Sequence, residues 1–102
     1  MPAPLYRQGD VLIAAVDAIP PEARRIRHGV LAAGDTTGHR HVLERARGVR
    51  LLEHEGRLFV DVDAERGVVV HPEHGTIALP RGRYRVWRQR EQQGSGVRHV
   101  SD

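Results

Sequence analysis

Glycine or proline interrupts this chain every few residues, at Gly9, Pro20-Pro21, Gly29, Gly34, Gly38, Gly48, Gly56, Gly67, Pro72, Gly75, Pro80 and Gly82. A proline inside a helix costs about 3 kcal/mol and a glycine about 1 kcal/mol relative to alanine. Few stretches between these breakers exceed ten residues, so long helices are excluded and short strands are what remains. The intervening runs carry strand chemistry. Asp10–Val16 reads as a strand buried on both faces, Val30–Ala33 as a second and His39–Arg45 as a third. Val49–His54 and Arg57–Asp63 read as a hairpin joined through Glu55-Gly56, since a two-residue turn ending in glycine suits the twist of paired strands. Val68–His71 follows an expected turn at Ala64–Gly67, and Thr76–Leu79 with Arg83–Gln89 reads as a further hairpin across Pro80-Arg81-Gly82. Only Pro21–Arg27 has helical potential, for one turn begun by proline. The fold class expected is all-β: a small single-domain β-barrel or sandwich of about 7–8 short strands.

A length of 102 residues allows one domain. Residues 1–91 are expected to form it, with 92–102 a polar C-terminal tail or an edge strand at Val97–Val100. Aromatics are 4% of the chain, so the core must be aliphatic. A domain this small hides only about 60–65% of its unfolded surface, which makes a homo-oligomer an expected partner state. With no cysteine, disulfides, thiolate nucleophiles and iron–sulfur clusters are excluded. No apolar run approaches the ~20 residues of a membrane span, and Met1–Arg7 lacks the apolar region of a signal peptide. A soluble cytoplasmic protein with no membrane partner is the expectation. The basic residues are all arginine and the net charge is +3; protonating seven histidines as well would bring it to +10.

Those seven histidines are the main chemical signal. His39 and His41 stand two apart in Gly38-His39-Arg40-His41, so on a strand both point to one face, about 7 Å apart along the backbone. His71 and His74 stand in His71-Pro72-Glu73-His74-Gly75, where Pro72 should end the strand and let both rings face one point. Each pair lies beside glycine, so the four could share one rim of a barrel. Neutral imidazoles, with Glu44 or Glu73 near, suit Zn²⁺ first and Ni²⁺ or Fe²⁺ as alternatives, rather than Ca²⁺ or Mg²⁺. Three imidazoles with an open position would be catalytic, and four would close a structural site. His28, His54 and His99 are solitary and read as solvated or hydrogen-bonded rings.

The second signal is Arg83–Arg90. Alternation turns Tyr84 and Val86 to the core and places Arg83, Arg85 and Trp87 together on the other face. Guanidinium beside an aromatic can hold single-stranded nucleic acid or anchor a protein interface, and the interface is the preferred partner. Nucleophilic catalysis has little material: the two serines, Ser95 and Ser101, lie in the polar tail, away from a rigid mount. Without lysine there is no phosphate-binding Gly-Lys-Ser/Thr loop. Asp61 and Asp63 read as a solvated edge, and Asp10 as an acceptor for turn backbone near Gly9.

The segment Gly34-Asp35-Thr36-Thr37-Gly38-His39-Arg40-His41-Val42-Leu43-Glu44 resembles the first metal motif of cupins. Those barrels take two His and a Glu from one strand and a further His from a later strand after a Pro-x-Gly turn, for which Pro80-Arg81-Gly82 would stand. The resemblance implies a cupin-like barrel with a metal in an open pocket, and by extension a metal-dependent oxygenase or hydrolase. Glu44, however, follows His41 by three residues rather than four or five, and Arg85 stands where the last cupin His would be. His71 or His74 would have to supply that ligand. Over most of its length, through Tyr6–Leu12, Thr37–His41, His71–His74, Leu79–Tyr84 and Arg88–Glu91, the chain is similar to a family of short uncharacterised prokaryotic and phage-borne proteins, and that likeness implies no reaction. Three functions follow in order: a metal-binding β-barrel using His39, His41, His71 and His74; a non-enzymatic interaction module using Arg83, Arg85 and Trp87; and a cupin-type enzyme.

Overall fold

The computed structural model describes residues 5–34 and 38–89, and every regular element among them is a strand. In chain order these are β1 Leu5–Gln8, β2 Val11–Ala15, β3 Arg24–Ile26, β4 Val30–Ala33, β5 Arg40–Leu43, β6 Val49–His54, β7 Arg57–Val70 and β8 Ile77–Arg88. They form one antiparallel sheet in the order β1-β2-β8-β7-β5-β4, with β6 also paired to β7 and β3 to β6. One half of β7 pairs with β6 and the other with β5, while β8 runs along both halves. A long, twisted ladder that exchanges neighbours part-way must curl, and the sheet closes into a half-barrel around its core. Among the described residues no helix is long and apolar enough to cross a membrane.

The all-β reading and the number of strands are borne out, but the strands are not uniformly short. The turn expected at Ala64–Gly67 is the interior of the 14-residue β7. Between the pairs Val62↔Gly82 and Arg66↔Pro80, three residues of β7 (Asp63, Ala64, Glu65) oppose Arg81 alone. That bulge bends the ladder without ending it. Pro80-Arg81-Gly82 is likewise strand rather than turn. Tyr84 secures the bend, its hydroxyl donating to the Pro80 carbonyl at 2.6 Å.

The helical turn expected at Pro21–Arg27 is also corrected. Ala23 N–H closes a turn on the Pro20 carbonyl at 3.0 Å, and Arg24–Ile26 then pairs with β6. One helical turn pays the nucleation cost for little return, whereas the strand sets Ile26 against the core. The Glu55-Gly56 hairpin forms as expected, with φ of 51° and 76°, the positive values a tight hairpin of this twist needs.

The core is aliphatic, built from Val11, Ile13, Leu31, Leu43, Val49, Leu51, Val60, Val62, Val69, Leu79, Tyr84 and Val86. Tyr6 packs edge-on to Tyr84, ring centroids 6.2 Å apart. This contact anchors β1, a strand absent from the sequence reading. The proposed tail or edge strand at 92–102 lies outside the described residues.

Candidate functional site

Register brings the two histidine pairs together. β5 and β7 pair antiparallel with Val42 opposite Val70 and Leu43 opposite Val69. One step further along the same ladder sets His41 opposite His71, and three steps set His39 opposite Glu73. β7 stops at Val70 just before Pro72, which lacks the N–H to extend it, so the chain turns there and returns His74 to the same end. The rings meet accordingly. Centroids are 4.3 Å apart for His41 and His71, 4.5 Å for His71 and His74, 5.8 Å for His39 and His71 and 6.1 Å for His41 and His74. His71 is the hub of the group. His39 sits one residue ahead of β5 rather than within it, and its Nδ1 lies 3.0 Å from Glu73 Oε1.

His41 is the buried member, its side chain 7% exposed, and its environment fixes its proton. Gln8, at the end of β1 and almost fully buried, donates through Nε2 to the carbonyls of Val69 at 3.1 Å and Gly75 at 2.9 Å. Both amide hydrogens being used, its Oε1 can only accept, and it lies 2.8 Å from His41 Nδ1. The network therefore places a proton on His41 Nδ1 and, in the neutral ring, a lone pair on Nε2. Burial pushes the His41 pKa down to about 4, aided by repulsion from His71, His74 and Arg88 and opposed by Asp10. At neutral pH the ring is uncharged, with its basic nitrogen facing Asp10 Oδ1 at 3.8 Å.

The exposed side of the cluster is arranged differently. Glu73 N–H donates to His71 Nδ1 at 3.0 Å, so a neutral His71 carries its proton on Nε2. Its pKa is lowered by desolvation and then by His74 and His39, against the pull of Glu73 and Asp10. Adjacent rings thus hold opposite tautomers. Among the described residues, no three His, Asp or Glu side chains form a ready-made ligand set.

Three further residues frame the site. Gly9 (φ 60°) begins the β1–β2 turn in the left-handed region that favours glycine, and a Cβ there would lie 2.9 Å from His74 Nε2 and 3.3 Å from His41 Cε1, crowding both rings. Asp10 accepts from Arg88 Nε at 3.2 Å and Nη2 at 2.9 Å, an ion pair that the sequence reading did not include. Gln8 and Arg88 were not singled out from the sequence, and a lone Gln before a glycine carries no signal of burial. Glu44 is exposed, just beyond β5. Of the solitary histidines, His28 accepts the Val30 N–H at 3.1 Å and His54 lies 3.7 Å from Glu55, while His99 falls outside the described residues.

Arg83, Arg85 and Trp87 do share the outer face of β8, with Tyr84 and Val86 turned into the core. Arg85 stands over Trp87, 5.2 Å from the ring, a cation–π contact that covers part of the surface a stacked base would need. Trp87 is half-buried, and its buried indole N–H has no acceptor among the described residues. Asp61 and Asp63 are ion-paired, with Arg50 and Arg81 respectively.

Residues 7–89 match the model of a family described as a domain of unknown function, DUF8820, and the chain belongs to that family. The matched segment contains all four clustered histidines together with Gln8, Gly9, Asp10 and Arg88. No curated protein matches the chain, and no solved structure does. The cupin resemblance gains nothing from these comparisons, and its Pro-x-Gly element lies inside a strand.

Proposed function

We propose that this member of the family is a small metal-binding domain whose imidazoles, His39, His41, His71 and His74, close on one transition-metal ion. Zn²⁺ is the first choice, with Ni²⁺ or Fe²⁺ as alternatives, because an all-nitrogen set of neutral rings favours these over hard cations. The observation that carries the reading is His41. A buried ring whose Nδ1–H is held by a fixed acceptor while Nε2 keeps its lone pair has the outer-sphere arrangement of metal-bound histidines. His71 would join by giving up the Glu73 N–H or by binding through Nδ1. Both His71 and His74 lie in a loop that emerges from the strand end, so the rearrangement disturbs no ladder. Four imidazoles would make the site structural, and three would leave a position for an exogenous ligand.

Titration of untagged, chelator-treated protein with ZnCl₂ in a calorimeter tests this. One equivalent should bind, with release of protons below pH 6.5 as imidazolium ions are displaced, and the melting temperature should rise with zinc concentration. His41→Gln and His71→Gln should each weaken binding at least tenfold, whereas His28→Gln should not. An unsaturable heat, or a loss as large in His28→Gln, would refute the assignment.

A further inference from the structure

We propose that a second site, built from residues other than the clustered histidines, binds adjacent phosphate groups in a groove lined by arginine. Arg25 and Arg27, on and just after β3, face Arg45 and Arg47 of the β5–β6 loop across an open groove of ≈ 480 Å³ whose remaining lining residue is Ala46. All four are exposed. Four arginines elsewhere are each neutralised by a carboxylate: Arg24 pairs with Glu53, Arg50 with Asp61, Arg81 with Asp63 and Arg88 with Asp10. Among the described residues no carboxylate pairs with any of the groove's four. Glu44 is the acidic residue in the lining of an adjoining cavity whose walls also include Arg25, Arg27 and Arg45.

Four guanidiniums facing one space repel each other, and an anion placed between them removes that cost. Each offers a planar fork of N–H donors that matches phosphate oxygens in pairs. The spacing of the pairs, two residues apart on each side, presents donors to more than one phosphate at a time. Among the described residues no aromatic side chain lines the groove, so nothing in that lining holds a base, and recognition is of the phosphates themselves. That chemistry has two sources, a free oligophosphate or the backbone of a nucleic acid.

Full-length protein is assayed at about 50 mM salt, by calorimetry with tripolyphosphate and by fluorescence anisotropy with a short labelled single-stranded DNA of mixed sequence. At least one probe should bind. Arg45→Gln/Arg47→Gln should lower its affinity at least tenfold, while Arg57→Gln/Arg66→Gln, which removes the same charge from exposed positions of β7, should change it less than twofold. If DNA is the ligand, the groove variant should also flatten the dependence of log K on log salt by about 1.4, two lost contacts at roughly 0.7 each. Binding of tripolyphosphate alone identifies a small oligophosphate, and binding of DNA with weak competition by tripolyphosphate identifies the backbone. Absence of binding by both probes, or equal losses in the two double variants, would overturn the proposal.

Discussion

Replacing Gln8 with leucine, which is close to it in size, is expected to destabilise the domain by about 3–5 kcal/mol. The side chain is 2% exposed and satisfies three groups at once: the carbonyls of Val69 and Gly75 and the Nδ1–H of His41. Leucine fills the space and pairs with none of them; the Val69 carbonyl and the His41 Nδ1–H are buried, and each such group left without a partner costs about 1–3 kcal/mol. Small domains have only about 5–15 kcal/mol in total, so the urea midpoint should fall by a third or more. Gln8→Glu separates packing from polarity. Its carboxylate still accepts from His41, but it turns an oxygen toward two carbonyl oxygens, so it should also destabilise while raising the His41 pKa. A Gln8→Leu midpoint within the error of the wild type would mean that this network does not hold β1 against the β7 end.

The metal-free protein should lose stability as pH falls from about 6.5 toward 4. His41 has a folded-state pKa of about 4 against an unfolded value of 6.5, so between those values the unfolded chain takes up a proton that the folded protein refuses. Its contribution is complete above pH 6.5 and is lost progressively on acidification. The shift sets an upper bound on the order of 3 kcal/mol, reduced by whatever solvent screening reaches the ring. His71, also lowered, acts in the same direction. Denaturant melts of chelator-treated protein at pH 7.5, 6, 5 and 4.5 should show the decline, and His41→Gln should be distinctly flatter. Equal pH dependence in the two proteins would place the acid sensitivity elsewhere.

What the sequence disclosed, and what it hid, divides along physical lines. Local signals were legible: Glu55-Gly56 allows few alternatives to a tight hairpin, Asp10–Val16 is too apolar to lie at an edge, and alternation alone turns Tyr84 and Val86 inward. The histidine grouping was legible because strand spacing and a proline stop act locally on each pair. Their meeting depends on the β5–β7 register, a long-range property that one sequence leaves open. Breakers misled where tertiary pairing outweighed them. Ala64–Gly67 and Pro80–Gly82 look like two turns, yet each lies opposite the other in the β7–β8 ladder and together they make a bend. Gln8 and Arg88 were hidden because their importance lies in what they meet: an imidazole 33 residues away and a carboxylate 78 residues away. The arginine groove was hidden for the same reason, its two halves being unremarkable basic dipeptide spacings until β3 and the β5–β6 loop face each other.

The proposed metal site depends on the Nε2 of His41 being unprotonated in the neutral ring. Long-range ¹H–¹⁵N correlation spectra of imidazole-labelled protein at pH 7 read this directly, ring by ring. Without metal, His41 should show a protonated Nδ1 and an unprotonated Nε2. One equivalent of Zn²⁺ should then move the Nε2 resonance strongly upfield while Nδ1–H stays bonded to Gln8. A His41 ring protonated at Nε2, or an Nε2 resonance unmoved by stoichiometric zinc, would contradict it.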